Sequence, residues 1–167
     1  NCKGTSLRYI KFNAIHAKNV NFMEANLNFS DLTNMVMDNS SFYRASIYNS
    51  NFKGASLKNA NFNEVRGRKA SVKKADLPGA NFSNTQLTNV DFEAANLAKT
   101  DFRGAFLRRS NFRNAKLEGG DFRKASFLKM GLDYASFKNA DLRGAEFRLT
   151  NFEGTDFKNA DLNTAIL

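Results

Sequence analysis

A five-residue period runs through the chain without one insertion or deletion. Every position leaving remainder two on division by five, from Cys2 to Leu167, is a centre. Of these 34 centres, 15 are Phe and 13 are Leu, so one apolar residue recurs at each step. Two residues before the centre, 26 of 33 positions hold Ala, Ser, Thr or Gly. Two residues after it, Gly stands seven times and Asn ten times. Ala80-Asn81-Phe82-Ser83-Asn84 and Ala140-Asp141-Leu142-Arg143-Gly144 show the unit. A helix repeats at 3.6 residues and a plain strand at 2, so neither produces this period.

A very short strand followed by a tight turn does. The centre points inward and its two neighbours point outward, because side chains alternate along extended backbone. The small residue also faces inward, where little space remains. Gly or Asn after the strand supplies the positive φ of a type II turn, and Pro78-Gly79 is the favoured pair for one. The chain then turns about 90° every five residues and closes a square coil every twenty. The whole length, 1–167, reads as one all-β domain of about eight 20-residue coils. The first residue is Asn1 rather than Met, which is read as a fragment of a longer protein.

The run of A(D/N)(L/F)xx units resembles the pentapeptide-repeat proteins over its full length. That resemblance implies a right-handed quadrilateral β-helix.

Centres twenty apart should stack on one wall. Wall A (centres 2, 22, 42 and onward) holds Phe22, Phe42, Phe62, Phe82, Phe102 and Phe122. Wall C (12, 32 and onward), opposite, holds Phe12, Phe52, Phe92 and Phe112. Walls B (7, 27 and onward) and D (17, 37 and onward) carry mainly Leu over the same coils. Two large and two smaller groups per layer keep the cross-section at near-constant volume. Beyond Phe122 the large rings move to B and D, at Phe127, Phe137, Phe147 and Phe157, and the packing should rearrange there. Two centres are too small, Ala17 and Gly67. The larger inward residues Ile15 and Val65 are read as filling the space. The other reading of Gly67 is a local bulge that presents Arg66, Arg68 and Lys69.

No catalytic constellation emerges, and the segment is read as non-enzymatic, with no cofactor. His16 points outward without a nucleophile beside it. Cys2 stands alone, and no Cys/His cluster has zinc-ligand spacing. The glycines are turn residues of the repeat, not a phosphate loop.

The net charge of +9 is unevenly placed. Outward cations and anions balance on walls A and C, and wall D carries a small positive excess. Wall B carries eight basic residues, Arg8, Arg66, Arg68, Lys69, Arg108, Arg109, Lys129 and Arg148, against Glu146 alone. On wall A, Arg103, Arg123 and Arg143 form a column, read as self-neutralised by Asp101, Asp121 and Asp141. Wall B also carries most outward apolar groups: Tyr9, Phe29, Tyr48, Phe106, Leu128, Leu149 and Ile166. Arg with aromatic residues is a common composition of binding hot spots. The candidate partner site is therefore Arg8, Tyr9, Phe29, Tyr48, Arg66, Arg68, Lys69, Phe106, Arg108, Arg109, Lys129 and Arg148. Packing against another domain of the same chain is the alternative use of this wall.

The leading functional expectation is a non-catalytic scaffold that binds an acidic or mixed protein surface through wall B. The resemblance adds a setting, the repeat domain of a secreted bacterial effector, in the cytoplasm or inside a host cell. A second reading, modulation of DNA gyrase, is suggested by the quinolone-resistance members. Those members carry an acidic surface, and this chain is basic. A third is direct binding of nucleic acid or anionic membrane, which salt would weaken steeply. Leu162 and Leu167 leave an apolar last coil, so a homodimer through an uncapped end, or further sequence, is expected to cover it.

Overall fold

The computed structural model describes residues 1–12 and 14–167. Its organising feature is parallel pairing at a separation of twenty residues. On wall B the rungs run Ser6, Asn26, Ser46, Arg66, Gln86, Phe106, Ser126, Glu146 and Ile166. The same step recurs on the other three walls, for example Asn61 to Asn81 to Asp101, so the chain is a right-handed quadrilateral β-solenoid.

The repeat follows from hydrogen-bond accounting. In the unit centred on Phe82, Asn81 N–H donates to Ala60 in the preceding coil. Phe82 and Asn84 donate to Asp101 and Arg103 in the next coil. Thr85 N–H closes the turn on Phe82 C=O. The fifth donor, Ser83 N–H, points outward and is taken by Asn81 Oδ1 at 2.9 Å. Asp101, Asp121 and Asp141 do the same for Arg103, Arg123 and Arg143. Asn or Asp before the centre is thus a backbone-satisfying residue, a local side-chain turn of the kind these two residues favour. The five-residue period by itself marks these positions only as outward.

Each turn has its third residue in the left-handed region. All 33 positions two after a centre have φ between 51° and 69°. At Pro78-Gly79 the turn closes from Ala80 N–H to Leu77 C=O at 3.0 Å, as a type II turn requires.

Wall B departs from the other walls over five successive coils. Three-residue strands form there: β1 (Arg66–Arg68), β2 (Gln86–Thr88), β3 (Phe106–Arg108), β4 (Ser126–Leu128) and β5 (Glu146–Arg148). They form one parallel sheet in chain order. The five corners that follow lack the turn-closing hydrogen bond, and Val90 N–H is taken instead by Ser110 Oγ at 3.2 Å. At four of the five, the inward residue after the corner is larger than Ala: Val90, Ser110, Met130 and Thr150. Size at that inner position does not decide the opening, because Met35 and Val65 close their turns while Ala70 does not.

The interior is filled by the centres. The rings of Phe22, Phe42, Phe62, Phe82, Phe102 and Phe122 stack along wall A, with neighbouring centroids 4.5 to 5.2 Å apart. Rings on wall C meet them edge-on, as Phe92 meets Phe82 at 5.8 Å and 81°. Both geometries are those aromatic quadrupoles prefer. After Phe122 the stacks shift to B and D as expected. Phe127 lies over Phe147 at 4.5 Å, and Phe137 over Phe157 at 5.4 Å.

The volume-compensation reading needs correction. Val65 is fully buried, but a Cβ on Gly67 would lie 2.8 Å from Ile47 Cγ1 and 3.0 Å from Leu87 Cδ2. The space over Gly67 is therefore also taken by the stacked centres of the adjoining coils. The register Arg66 to Gln86, Gly67 to Leu87 and Arg68 to Thr88 is unbroken, so there is no bulge. Ile15 is 47% exposed in the first coil and fills no enclosed gap beside Ala17.

Candidate functional site

The walls differ most in how their charges are satisfied. On wall A, Arg103, Arg123 and Arg143 each clasp the Asp two residues back, at 2.7, 2.6 and 2.7 Å. Each also reaches the Asp of the next coil, at 3.7, 3.5 and 3.6 Å. The result is a continuous zipper from Asp101 to Asp161, so this column is self-neutralised. The Arg143 side chain and backbone donors hold the Asp141 carboxyl below its ordinary value against the opposing effect of burial. On wall C, Lys73 meets Glu93 at 2.9 Å, and Arg113 meets the buried Asp133. On wall D, Lys18, Lys58 and Lys138 pair with Asp38, Asp76 and Asp156.

Wall B has no such matching. Among the described residues its one ion pair is Arg148 with Glu146, at 3.4 Å. Nine of the 17 basic residues elsewhere are paired against one of eight here, so the excess charge lies bare on this wall. Glu64, at the corner before β1, is already bound by Arg44 Nε at 2.7 Å.

The sequence-predicted residues all lie outward and exposed. Arg66 and Arg68 flank the buried Gly67 on β1, Phe106 and Arg108 flank Leu107 on β3, and Arg148 ends β5. Lys69, Arg109 and Lys129 occupy the corners that follow. Tyr9 and Phe29 are corner residues of the first two coils, stacked at 5.0 Å and 11°. Arg8 lies over both rings, 5.1 and 5.7 Å from their centroids, a cation–π arrangement. Tyr48 stands one coil further along. The structure thus forms two adjoining groups, joined by a recess that Phe29, Tyr48, Arg68 and Lys69 line together. Arg8, Tyr9 and Phe29 make one, and Arg66, Arg68, Arg108 and Arg109 gather with Tyr48 around a shallow recess of about 450 Å³. Lys129 and Arg148 lie beyond that recess, further along the same wall. Gln86, Thr88 and Asn89 form part of the same recess and were missed by a search restricted to charged and aromatic groups. Their phase in the repeat, the same as that of Arg66, Arg68 and Lys69, is the signal that finds them. A recess of about 480 Å³ beside Arg103 and Arg123 differs, because those arginines are committed to aspartates.

The corners of wall B carry a further cost. Each is left-handed, yet none is Gly. Tyr9 (φ 60°), Phe29 (φ 62°), Lys69 (φ 57°), Arg109 (φ 51°), Lys129 (φ 56°) and Leu149 (φ 53°) occupy them together with Asn49 and Asn89. Walls A, C and D place Gly at seven such corners. Bulky side chains in that region are strained, and such strain clusters at functional surfaces. No group of three or more metal-ligating side chains occurs among the described residues.

Comparison with known proteins agrees with this architecture. The model of the pentapeptide repeat region matches residues 45–122, and that of the pentapeptide repeats (8 copies) matches 1–36 and 132–167. No curated protein matches in sequence. Among solved structures, a trypsin-treated variant of QnrB1, a plasmid-mediated fluoroquinolone resistance protein, is similar with a TM-score of 0.62 at 15% identity. That match covers 96% of this chain and 83% of the other. HetL, a pentapeptide repeat protein involved in heterocyst differentiation regulation from the cyanobacterium Nostoc sp. strain PCC 7120, is 23% identical. It covers 96% of this chain and 90% of its own, with a TM-score of 0.42. At these identities the likeness concerns the fold, and with two family models spanning most of the length, the chain belongs to the pentapeptide-repeat family.

Proposed function

We propose that this chain is a non-catalytic docking scaffold that binds an acidic or mixed protein surface through wall B. The observation that carries the reading is the contrast in charge pairing. Nine of the 17 cations on the other walls are matched to carboxylates of the same or the next coil. On wall B seven of the eight stand unmatched. Like charges held in fixed positions repel one another, and a complementary partner relieves that repulsion while steering association. Exposed Tyr9, Phe29, Tyr48 and Phe106 on the same wall supply apolar contact area. Among the described residues the interior is filled by stacked Phe and by Leu, which supports a non-catalytic role.

Gyrase modulation by imitation of DNA is disfavoured by the net charge of +9. QnrB1 shares the fold at 15% identity, which carries no function across. Delivery as a bacterial effector and dimerisation through an uncapped end rest on family resemblance. A translocation assay and sedimentation of the full-length protein test them. The wall B reading is tested by affinity capture with the immobilised chain. Wild type is compared with a variant in which Arg66, Arg108, Arg109 and Arg148 are Glu. Partners held by the wild type and lost by the variant support it, and identical captures refute it.

A further inference from the structure

The cations of wall B have a spacing that selects among acidic partners. In the column just after each centre, the order is Arg68, Thr88, Arg108, Leu128 and Arg148. These residues sit on successive rungs of the sheet, in the register Arg68 to Thr88, Thr88 to Arg108, Arg108 to Leu128 and Leu128 to Arg148. Arginine therefore returns every second coil. With about 4.8 Å between paired strands, the guanidinium-bearing rungs lie about 9.6 Å apart, and three of them span about 19 Å. Between Arg68 and Arg108 the surface dips into the recess lined by Tyr48, Arg66, Thr88 and Arg109.

A polypeptide in polyproline II advances about 3.1 Å per residue, so three residues cover about 9.3 Å, whereas a β-strand turns every third side chain to the opposite face. In polyproline II, every third side chain also returns to the same face. An α-helix repeats a face after seven residues, about 10.5 Å, and drifts out of step by about 1 Å at each arginine. Duplex nucleic acid carries a negative charge about every 1.7 Å along its axis, with no counterpart to the Thr88 and Leu128 rungs that separate the arginines.

We propose that wall B binds an acidic peptide segment in the polyproline II conformation lying along the solenoid axis, with a carboxylate at every third residue meeting Arg68, Arg108 and Arg148, the last of these exchanging its contact with Glu146 for the peptide. The intervening side chains lie over Thr88 and Leu128. Lys69, Arg109 and Lys129, at the adjacent corners, border the segment on one side. This inference rests on wall B being the docking surface and specifies the chemistry of what docks.

Fluorescence anisotropy at low salt tests it with two labelled peptides of one composition, (Glu-Pro-Pro)5 and a peptide of five Glu followed by ten Pro. The spaced peptide is expected to bind at least about tenfold more tightly, and Arg108→Glu to abolish the difference. Equal affinities, both lost with Arg108→Glu, overturn the spacing inference while leaving wall B as a docking surface. Binding of neither peptide also overturns it, and the capture experiment then decides the wider reading separately. Tighter binding of a helical acidic peptide, or of a single-stranded oligonucleotide, overturns it as well. Thermal unfolding of Arg108→Glu at the wild-type midpoint shows that its effect is on binding.

Discussion

Phe82 and Phe102 are buried between two stacked rings each, so deletion of either leaves a hole that cannot close. Phe82→Ala and Phe102→Ala are each expected to cost about 3–5 kcal/mol in denaturant unfolding, and an unchanged midpoint would contradict the stacking. The outward arginines behave oppositely. Arg108→Glu with Arg109→Glu should leave the unfolding midpoint close to wild type, because neither side chain packs inward or holds a carboxylate. The aspartates of wall A link stability to pH. Burial is the largest single influence on Asp121 and raises its pKa, but Arg123 and the backbone donor together hold it below the ordinary value. Asp141 is held down chiefly by Arg143. A carboxyl whose folded pKa is depressed contributes stability that is full above its unfolded value, about 3.9, and lost as pH falls through the folded value. The midpoint should therefore be flat near neutrality and fall below about pH 4. Replacing Arg123 and Arg143 by Ala should shallow that acid limb, and an identical acid limb in the variant would refute the linkage. The loss at neutral pH stays small because these pairs are solvent-exposed.

The coil is the unit in which sequence and structure can be compared. The identity of each centre, its inward direction and the move of the rings from A and C to B and D follow from the count of five. Each depends only on phase and side-chain volume. Three features were not legible in that way. Asn and Asp before the centre looked like surface polarity, because their role lies in accepting one backbone N–H. The filling of Gly67 was sought within its own unit, whereas Ile47 and Leu87 lie twenty residues away on either side. The opened corners of wall B follow neither from the period nor from the size of the inward residue, since Ala70 opens while Val65 closes its turn. The Gly67 geometry yields a coupling test. Gly67→Val is expected to destabilise by about 1–3 kcal/mol through overpacking, and adding Ile47→Ala should restore part of the loss. Strict additivity of the two changes would show that the side chains do not share that space.

At the scale of the molecule, the solenoid sets walls side by side with the same backbone and different surface chemistry. Outward placement of the wall B residues was readable from phase alone. The pairing that silences charge on the other walls was readable only for the Arg103, Arg123 and Arg143 column. The other ion pairs join residues eighteen or twenty apart, and their formation depends on rotamers as well as register. The stacking of Arg8 over Tyr9 and Phe29, and the recess by which Phe29 adjoins Tyr48 and Arg68, were likewise not visible in a list of outward residues. The central claim is that wall B, and not positive charge in general, is the docking surface. Quantitative affinity capture with a matched control addresses it most directly. One variant carries Glu at Arg66, Arg108, Arg109 and Arg148. The control carries Glu at Lys53, Lys74, Lys99 and Lys116, which lie on walls C and D outside the ion pairs, so both variants change the net charge equally. Partners held by the wild type are expected to be retained by the control and reduced at least about tenfold by the wall B variant. Equal losses from both variants, or from neither, would contradict the claim.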